Sequence, residues 1–356
     1  MNSNNHPDYF KGRGAQVNTH NPFSKQSYVT EHIEGLDEPI LSNSKTQFFQ
    51  ENPKKIVNKI ESPDLRGMYS MNPYQGCEHG CIYCYARNSH QYWGFSAGLD
   101  FERKIIIKEN AAVLLEKFLS NPRYEPQPIM LSGNTDCYQP IERKKGITRK
   151  MLQVLLKFKH PVSIITKNSL ILRDLDLLEE MASMNLAHVN VSLTSLDESL
   201  RTKLEPRTVS SFNRLKVIEA LSKKNIPVNV MVAPIIPALN SLEIPEIIKT
   251  SSEHGASSAA YTIVRLNGSI KDIFEDWVAK NFPDRADKVL HQIMDCHGGK
   301  LNDSRFGVRM RGEGKIAEMI RNLFYTSTQK YMSGKKFPDL DCSLFKRPGN
   351  GQLQLF

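Results

Sequence analysis

Six short apolar or β-branched runs, spaced by roughly thirty residues, constrain this chain more than any other feature. They are "GMYSMNPY", "PIMLSGN", "PVSIITKN", "HVNVSLTS", "PVNVMVAPII" and "SSAAYTIVRL". Segments with helical spacing lie between them. In "ENAAVLLEKFLS", Ala112, Leu115, Phe118 and Leu119 share one helix face. "ITRKMLQVLLKF", "LRDLDLLEEMAS", "SFNRLKVIEALSKK" and "SLEIPEIIKTSSEH" behave alike. Strands alternating with helices require a parallel sheet, because each parallel return needs a long crossover. Right-handed crossovers then leave an open doubly wound sheet or a barrel.

The flanks break this rhythm. Residues 1–67 are polar, with little periodicity, and read as a flexible arm or a loosely docked extension. The alternating core spans 68–270, and 271–351 read as a helical extension carrying "KDIFEDWVAKNF", "ADKVLHQIMDCH" and the Arg-rich "RFGVRMRGEGK". No run approaches 18 apolar residues, so no membrane span is expected. No apolar stretch follows the first basic residues, so no secretory signal is expected, and the expected compartment is reducing and cytoplasmic. The net charge of +9 fits attraction to a polyanion and fits ordinary drift equally well.

Three of the six cysteines fall within "NPYQGCEHGCIYCYAR", at Cys77, Cys81 and Cys84. Structural zinc takes four protein ligands, and His79 could complete a Cys3His set. Ordinary iron-sulfur clusters also take four thiolates. Three thiolates on a four-iron cluster leave one iron open, as catalytic metal sites do. The loop follows a strand, where barrels and open sheets place their sites.

C-x3-C-x2-C with an aromatic residue, Tyr83, before the last cysteine resembles the signature of the radical S-adenosylmethionine superfamily. The resemblance implies a partial (β/α)6 barrel, a 4Fe-4S cluster on Cys77, Cys81 and Cys84, and S-adenosylmethionine chelated by the open iron. It also implies an external one-electron reductant and release of a 5′-deoxyadenosyl radical. On that template, Gly133, Asn134, Thr135 and Asp136 of "SGNTD" face the methionyl amine. Lys167 of "ITKN" faces a carboxylate or phosphate, and Ser192 and Thr194 of "VSLTS" suit the ribose. Glu205 and Arg207 flank Pro206 in "LEPRT", and Arg207 is a candidate fork for the cofactor carboxylate.

The succession of "NTD", "TK", "EPRT" and "PVNVMVAPI" resembles the spore photoproduct lyase group. A bacterial branch of that group shares counterparts of "GRGA", "RDLDLL", "RMRG" and the tail. This implies a lyase-type enzyme in DNA repair or metabolism, with radical modification of tRNA or protein, or a non-enzymatic iron-sulfur or zinc module, as alternatives. In spore photoproduct lyases a hydrogen-donating cysteine precedes the Asp of the second-strand motif, where this chain has Gly133. The nearest thiol is Cys137, a candidate radical quencher or a buried bystander. At the end, Gln352, Leu353, Leu355 and Phe356 of "QLQLF" resemble the peptide that docks on the bacterial sliding clamp.

Overall fold

A computed structural model describes residues 10–23, 45–65 and 68–348. Among the described residues ten strands form two sheets: β1 (Gln47–Glu51), β2 (Val57–Lys59), β3 (Tyr69–Met71), β4 (Tyr74–Gln75), β5 (Lys104–Lys108), β6 (Ile129–Leu131), β7 (Val162–Thr166), β8 (Ala187–Ser192), β9 (Val228–Ile235) and β10 (Ser258–Ile263). The larger sheet runs β10-β9-β8-β7-β6-β3-β2. From β3 to β10 its neighbours pair in parallel, and β2 joins β3 antiparallel. These six parallel strands are the six apolar runs of the sequence. They form the α/β sheet of a partial barrel.

Register explains why the inside of this half-barrel is open. Met71, Leu131, Ile164, Val189 and Val228 stand side by side across the sheet. All five are buried in the main core. The helices Ala111–Leu119, Ile147–Lys157, Leu175–Ser183, Ser211–Ser222 and Ile244–Glu253 connect successive strands. Side chains alternate across a strand, so the neighbouring rows face the other way. Those rows are Ser70, Met130, Ser163 and His188, and then Ile165, Asn190, Asn229 and Ser258. They are mostly polar, and several are only half-buried. Asn190 donates to the Ser163 hydroxyl at 2.8 Å, and Asn229 donates to Asn190 at 2.9 Å. A TIM barrel fills its interior with branched apolar side chains; this one lines it with polar groups.

The helix Gly314–Met332, which hydropathy spacing did not single out, packs on Ile244–Glu253 and on β10. The open side between β10 and β2 is bridged by the Arg-rich segment. The Ile263 N–H donates to the Met310 carbonyl at 2.9 Å, and Asp64 accepts from the Gly307 N–H at 2.7 Å and from Arg309 at 2.5 Å.

The expected flexible extension over 1–67 is corrected for its described residues. β1 pairs in parallel with β5, which pairs antiparallel with β4, in a second, three-stranded sheet. Residues 10–18 are a strap held by the buried Glu102 carboxylate, which accepts from the N–H groups of Gly14 at 3.1 Å and Ala15 at 2.8 Å. A Cβ on Gly14 would stand 1.9 Å from the Gly80 carbonyl oxygen, so only glycine allows this approach. The tail residues Gln352, Leu353, Leu355 and Phe356 lie outside the described residues. No helix among the described residues is long and apolar enough to cross a membrane.

Candidate functional site

The thiol loop occupies the crossover between β3 and β6, at the carboxyl end of the sheet. Its backbone is tied down from several sides. The Cys77 N–H donates to the Phe101 carbonyl at 2.9 Å, and the Ile82 N–H donates to the Leu204 carbonyl at 3.0 Å. Behind it lies Arg87, fully buried. Its guanidinium donates to the carbonyls of Cys81 (3.0 Å), Gly80 (3.1 Å), Ala97 (3.2 Å) and Gly98 (3.0 Å), and to Glu102 at 2.5 Å. One guanidinium therefore fixes the loop's shape. The sequence does not single it out, because a lone Arg in "YARNSHQYW" looks solvated.

Burial pushes all three thiols up. Cys77 is raised well above the ordinary range by burial and then by the charges of Asp136, Cys81 and Cys84. Cys81 is raised to about 12 by burial and then Glu205, and Cys84 is raised by burial against the pull of Arg87. Buried thiols of this kind ionise only when a metal replaces the proton. His79 does not join them. Its Nδ1 lies 3.4 Å from Asp136 and its Nε2 3.1 Å from the Asn168 amide. Among the described residues no three His, Cys, Asp or Glu side chains converge on one ion. Three thiolates that each bind a different iron have no need to converge, so the donor set fits a cluster.

The sequence candidates divide into two groups. Asp136 is used up by the protein. It accepts from the Thr166 hydroxyl at 2.9 Å and from the N–H groups of Lys167 at 2.8 Å and Tyr138 at 2.9 Å, besides His79. Its carboxylate sits below the usual range: burial alone would raise it, and His79 and the backbone donors outweigh that. Thr135 donates to the Tyr74 carbonyl at 2.6 Å. Glu205, buried at 0% exposure, accepts from Thr194 at 2.7 Å, from Tyr83 and from Arg214. Arg214 also donates to the Ser192 carbonyl at 3.0 Å. Arg207 is on the outer rim, its backbone N–H 3.2 Å from the His79 carbonyl and its guanidinium 3.9 Å from Glu78. Asp136, Thr135, Thr194 and Glu205 thus brace the loops.

The second group keeps groups free for a ligand. Lys167 is half-buried, and its ammonium makes no hydrogen bond or ion pair among the described residues. That ammonium lies 6.0 Å from the Tyr83 ring. Burial would lower it, yet the thiols of Cys81 and Cys84 and the Glu205 carboxylate hold it above its ordinary value. Ser192 shares the inward side of β8 with Asn190, as strand alternation requires. Asn134 bonds Gln75 and Ser89, each at 3.2 Å, at the mouth. Gly133 is partly exposed there, and the Tyr85 hydroxyl donates to its carbonyl. Cys137 is elsewhere. It lies in the apolar core at 0% exposure, its N–H on the Ser132 hydroxyl at 2.6 Å and its carbonyl accepting from Thr148 at 2.8 Å.

A half-barrel of six parallel strands with three thiols at its carboxyl mouth defines a class. Residues 71–250 match the model of the radical SAM superfamily. The chain belongs to that superfamily. It is 32% identical over 65% of its length to an uncharacterised protein of Mycobacterium bovis, covering 69% of that protein. It is 27% identical over 70% of its length to one of Methanocaldococcus jannaschii, covering 89% of that protein. Among solved structures it resembles spore photoproduct lyase with bound S-adenosylmethionine and dinucleoside spore photoproduct, at TM-score 0.59 and 15% identity over 82% of both chains. A second structure of that lyase, complexed with the dinucleoside, gives TM-score 0.60 at 14% identity. At these identities the likeness is one of fold. Membership makes the chain a radical SAM enzyme and implies a 4Fe-4S cluster and S-adenosylmethionine. When bound, they supply reductive cleavage of the sulfonium to methionine and a 5′-deoxyadenosyl radical.

Proposed function

We propose that this radical SAM enzyme abstracts hydrogen from a nucleic-acid substrate, in DNA repair or metabolism. The observation that carries the reading is the polar, half-open lumen of the barrel with the thiol loop at its mouth. In this reading Cys77, Cys81 and Cys84 hold the cluster, Lys167 meets the methionyl carboxylate, and Asn134 and the Gly133 backbone lie beside the amine. Ser192 lines the ribose side. Tyr83, fixed by Glu205 and Thr194, stands beneath Lys167. The fold shared with a lyase crystallised on a dinucleoside, over four-fifths of both chains, supports a nucleic-acid substrate.

The reading stops short of dimer reversal by the lyase route. Gly133 leaves no thiol at the lyase position, and Cys137 lies in the core. Hydrogen abstraction therefore needs another return donor or a different end product. Anaerobic protein incubated with deuterated DNA should pass label into 5′-deoxyadenosine. Label from deuterated RNA or protein alone would replace the DNA reading with a tRNA- or protein-modifying one.

Lys167→Met should weaken S-adenosylmethionine binding, because a charge-assisted contact contributes about 1.5–3 kcal/mol. Arg207→Met should bind it normally, as the rim position of Arg207 requires. Isothermal titration of both variants reads the difference, and the reverse ranking would return the carboxylate to Arg207. For the tail we propose docking on the sliding clamp through Gln352, Leu353, Leu355 and Phe356. A chain lacking residues 352–356 should lose clamp affinity and keep cofactor cleavage; an intact chain that ignores the clamp would end that proposal.

A further inference from the structure

Three thiolates on a cluster bring negative charge into a site that water barely reaches, and an electron accepted there adds more. The charges around the thiol loop therefore matter beyond its shape. On the lumen side, the charge of Asp136 bears on Cys77 and that of Glu205 on Cys81. Both carboxylates are answered locally, Asp136 by His79 at 3.4 Å and Glu205 by Arg214. Lys167 faces Cys81 and Cys84 from the same side. In the reading above it meets the methionyl carboxylate, so its charge is cancelled once the cofactor binds.

Behind the loop the arrangement is different. Arg87 and Glu102 are both 0% exposed, so solvent screens neither. The pair is ordered. Its guanidinium is on the loop, where it donates to the Cys81 and Gly80 carbonyls, and the Arg87 N–H donates to the Cys84 carbonyl at 3.2 Å. It also lies over the Phe101 ring at 5.2 Å, and that ring packs with Cys77 and Cys84. The carboxylate is on the strap, where it accepts from the N–H groups of Gly14 and Ala15. Of the charges that the Cys84 thiol feels, that of Arg87 is the strongest. Loop carbonyls could be satisfied by neutral donors. A guanidinium adds a charge that no change of pH removes.

We propose that Arg87 sets the reduction potential of the cluster, holding it high enough for a one-electron donor to fill. The inference rests on the reading that Cys77, Cys81 and Cys84 carry a 4Fe-4S cluster. Arg87 is no ligand and acts by charge: one added electron is offset by one fixed cation, and no bond or proton changes hands. Net charge and the hydrogen bonds around the ligands are what set such potentials.

The test is a redox titration followed by electron paramagnetic resonance, on the whole protein reconstituted anaerobically, without S-adenosylmethionine. Arg87→Gln should lower the ratio of reduced to oxidised cluster about tenfold at a fixed potential, which is about 59 mV downward for one electron. Glu102→Gln removes the anion and keeps the cation, so its midpoint should move upward. Arg87→Lys should stay near the unmodified protein, because it keeps the charge while losing most of the carbonyl bonds. A role in shape alone gives another order: all these variants shift the same way, with Arg87→Lys no closer to the parent than Arg87→Gln. That order, or an unmoved midpoint in Arg87→Gln, would overturn the proposal. Iron content is read on every sample. If Arg87→Gln holds no iron, Arg87→Lys at the parent midpoint with Glu102→Gln above it supports the proposal, and any other order overturns it. An unmodified protein that takes up no iron would end the cluster reading and this proposal together. Full iron with the wrong order of midpoints would end this proposal alone.

Discussion

Alanine at Cys77, Cys81 or Cys84 is expected to remove the iron altogether, from about four per chain to none, and with it all cofactor cleavage. The reason is the smallness of the donor set. Three thiolates already leave one iron without a protein ligand, so loss of a further ligand leaves two. No neighbour can replace it, since both nitrogens of His79, the nearest imidazole in sequence, face Asp136 and Asn168. His79→Gln should therefore keep its iron, whereas a Cys3His zinc site would lose its metal. Cys296→Ala should also keep iron, because Cys296 is buried far along the chain, after the helix Ala286–Asp295. Cys137→Ala should do the same, for its thiol sits in the core beside Thr148. The measurement is iron and sulfide content with absorbance after anaerobic reconstitution. Stoichiometric zinc without iron would defeat the cluster reading.

Much of this centre is legible in the amino-acid sequence. The six parallel strands stand out because each keeps one apolar side, and the register lines those sides up from Met71 to Val228. The thiol loop is legible because spacing alone limits what three cysteines can bind. What stays hidden depends on contacts between distant residues. β1, "QFFQE", sits in a polar stretch and becomes a strand only by pairing with residues 104–108. Arg87 is satisfied mainly by backbone carbonyls, which leave no trace in side-chain pattern. Arg207 and Lys167 are equally good cations for a carboxylate by residue type alone. The turn after the helix Glu198–Leu204 sends Arg207 to the rim, and the end of β7 leaves Lys167 beside the thiols.

Glu205→Gln is expected to be the most destabilising conservative change in the barrel, at about 3–5 kcal/mol, because it breaks a buried ion pair from one side. Glu205 and Arg214 are 0% and 1% exposed, so the abandoned guanidinium has no water to turn to. Arg214 has neutral acceptors at the Ser192 carbonyl (3.0 Å) and the Val209 carbonyl (3.1 Å), but no second carboxylate among the described residues. Burial alone would raise the Glu205 carboxyl. Arg214, Lys167, Thr194 and Tyr83 outweigh it and hold the group at about 2, below its ordinary 4.5. A depressed carboxylate contributes stability that is present above the unfolded value and is lost as pH falls through the folded one. The gap in stability between the unmodified protein and Glu205→Gln should thus be constant near neutrality and close between about pH 4.5 and about pH 2. Glu205→Leu combined with Arg214→Met should recover part of the loss, since two apolar groups strand no charge. Urea denaturation across pH reads all of this. A single variant as stable as the parent would show that the pair carries no net stabilisation. The consequence reaches the site through Tyr83, which lies between Cys81 and Cys84 and bonds Glu205. A neutral amide oxygen holds the Tyr83 hydroxyl less firmly than the carboxylate does, so the cluster in Glu205→Gln should bleach faster in air, even where its initial iron content is normal.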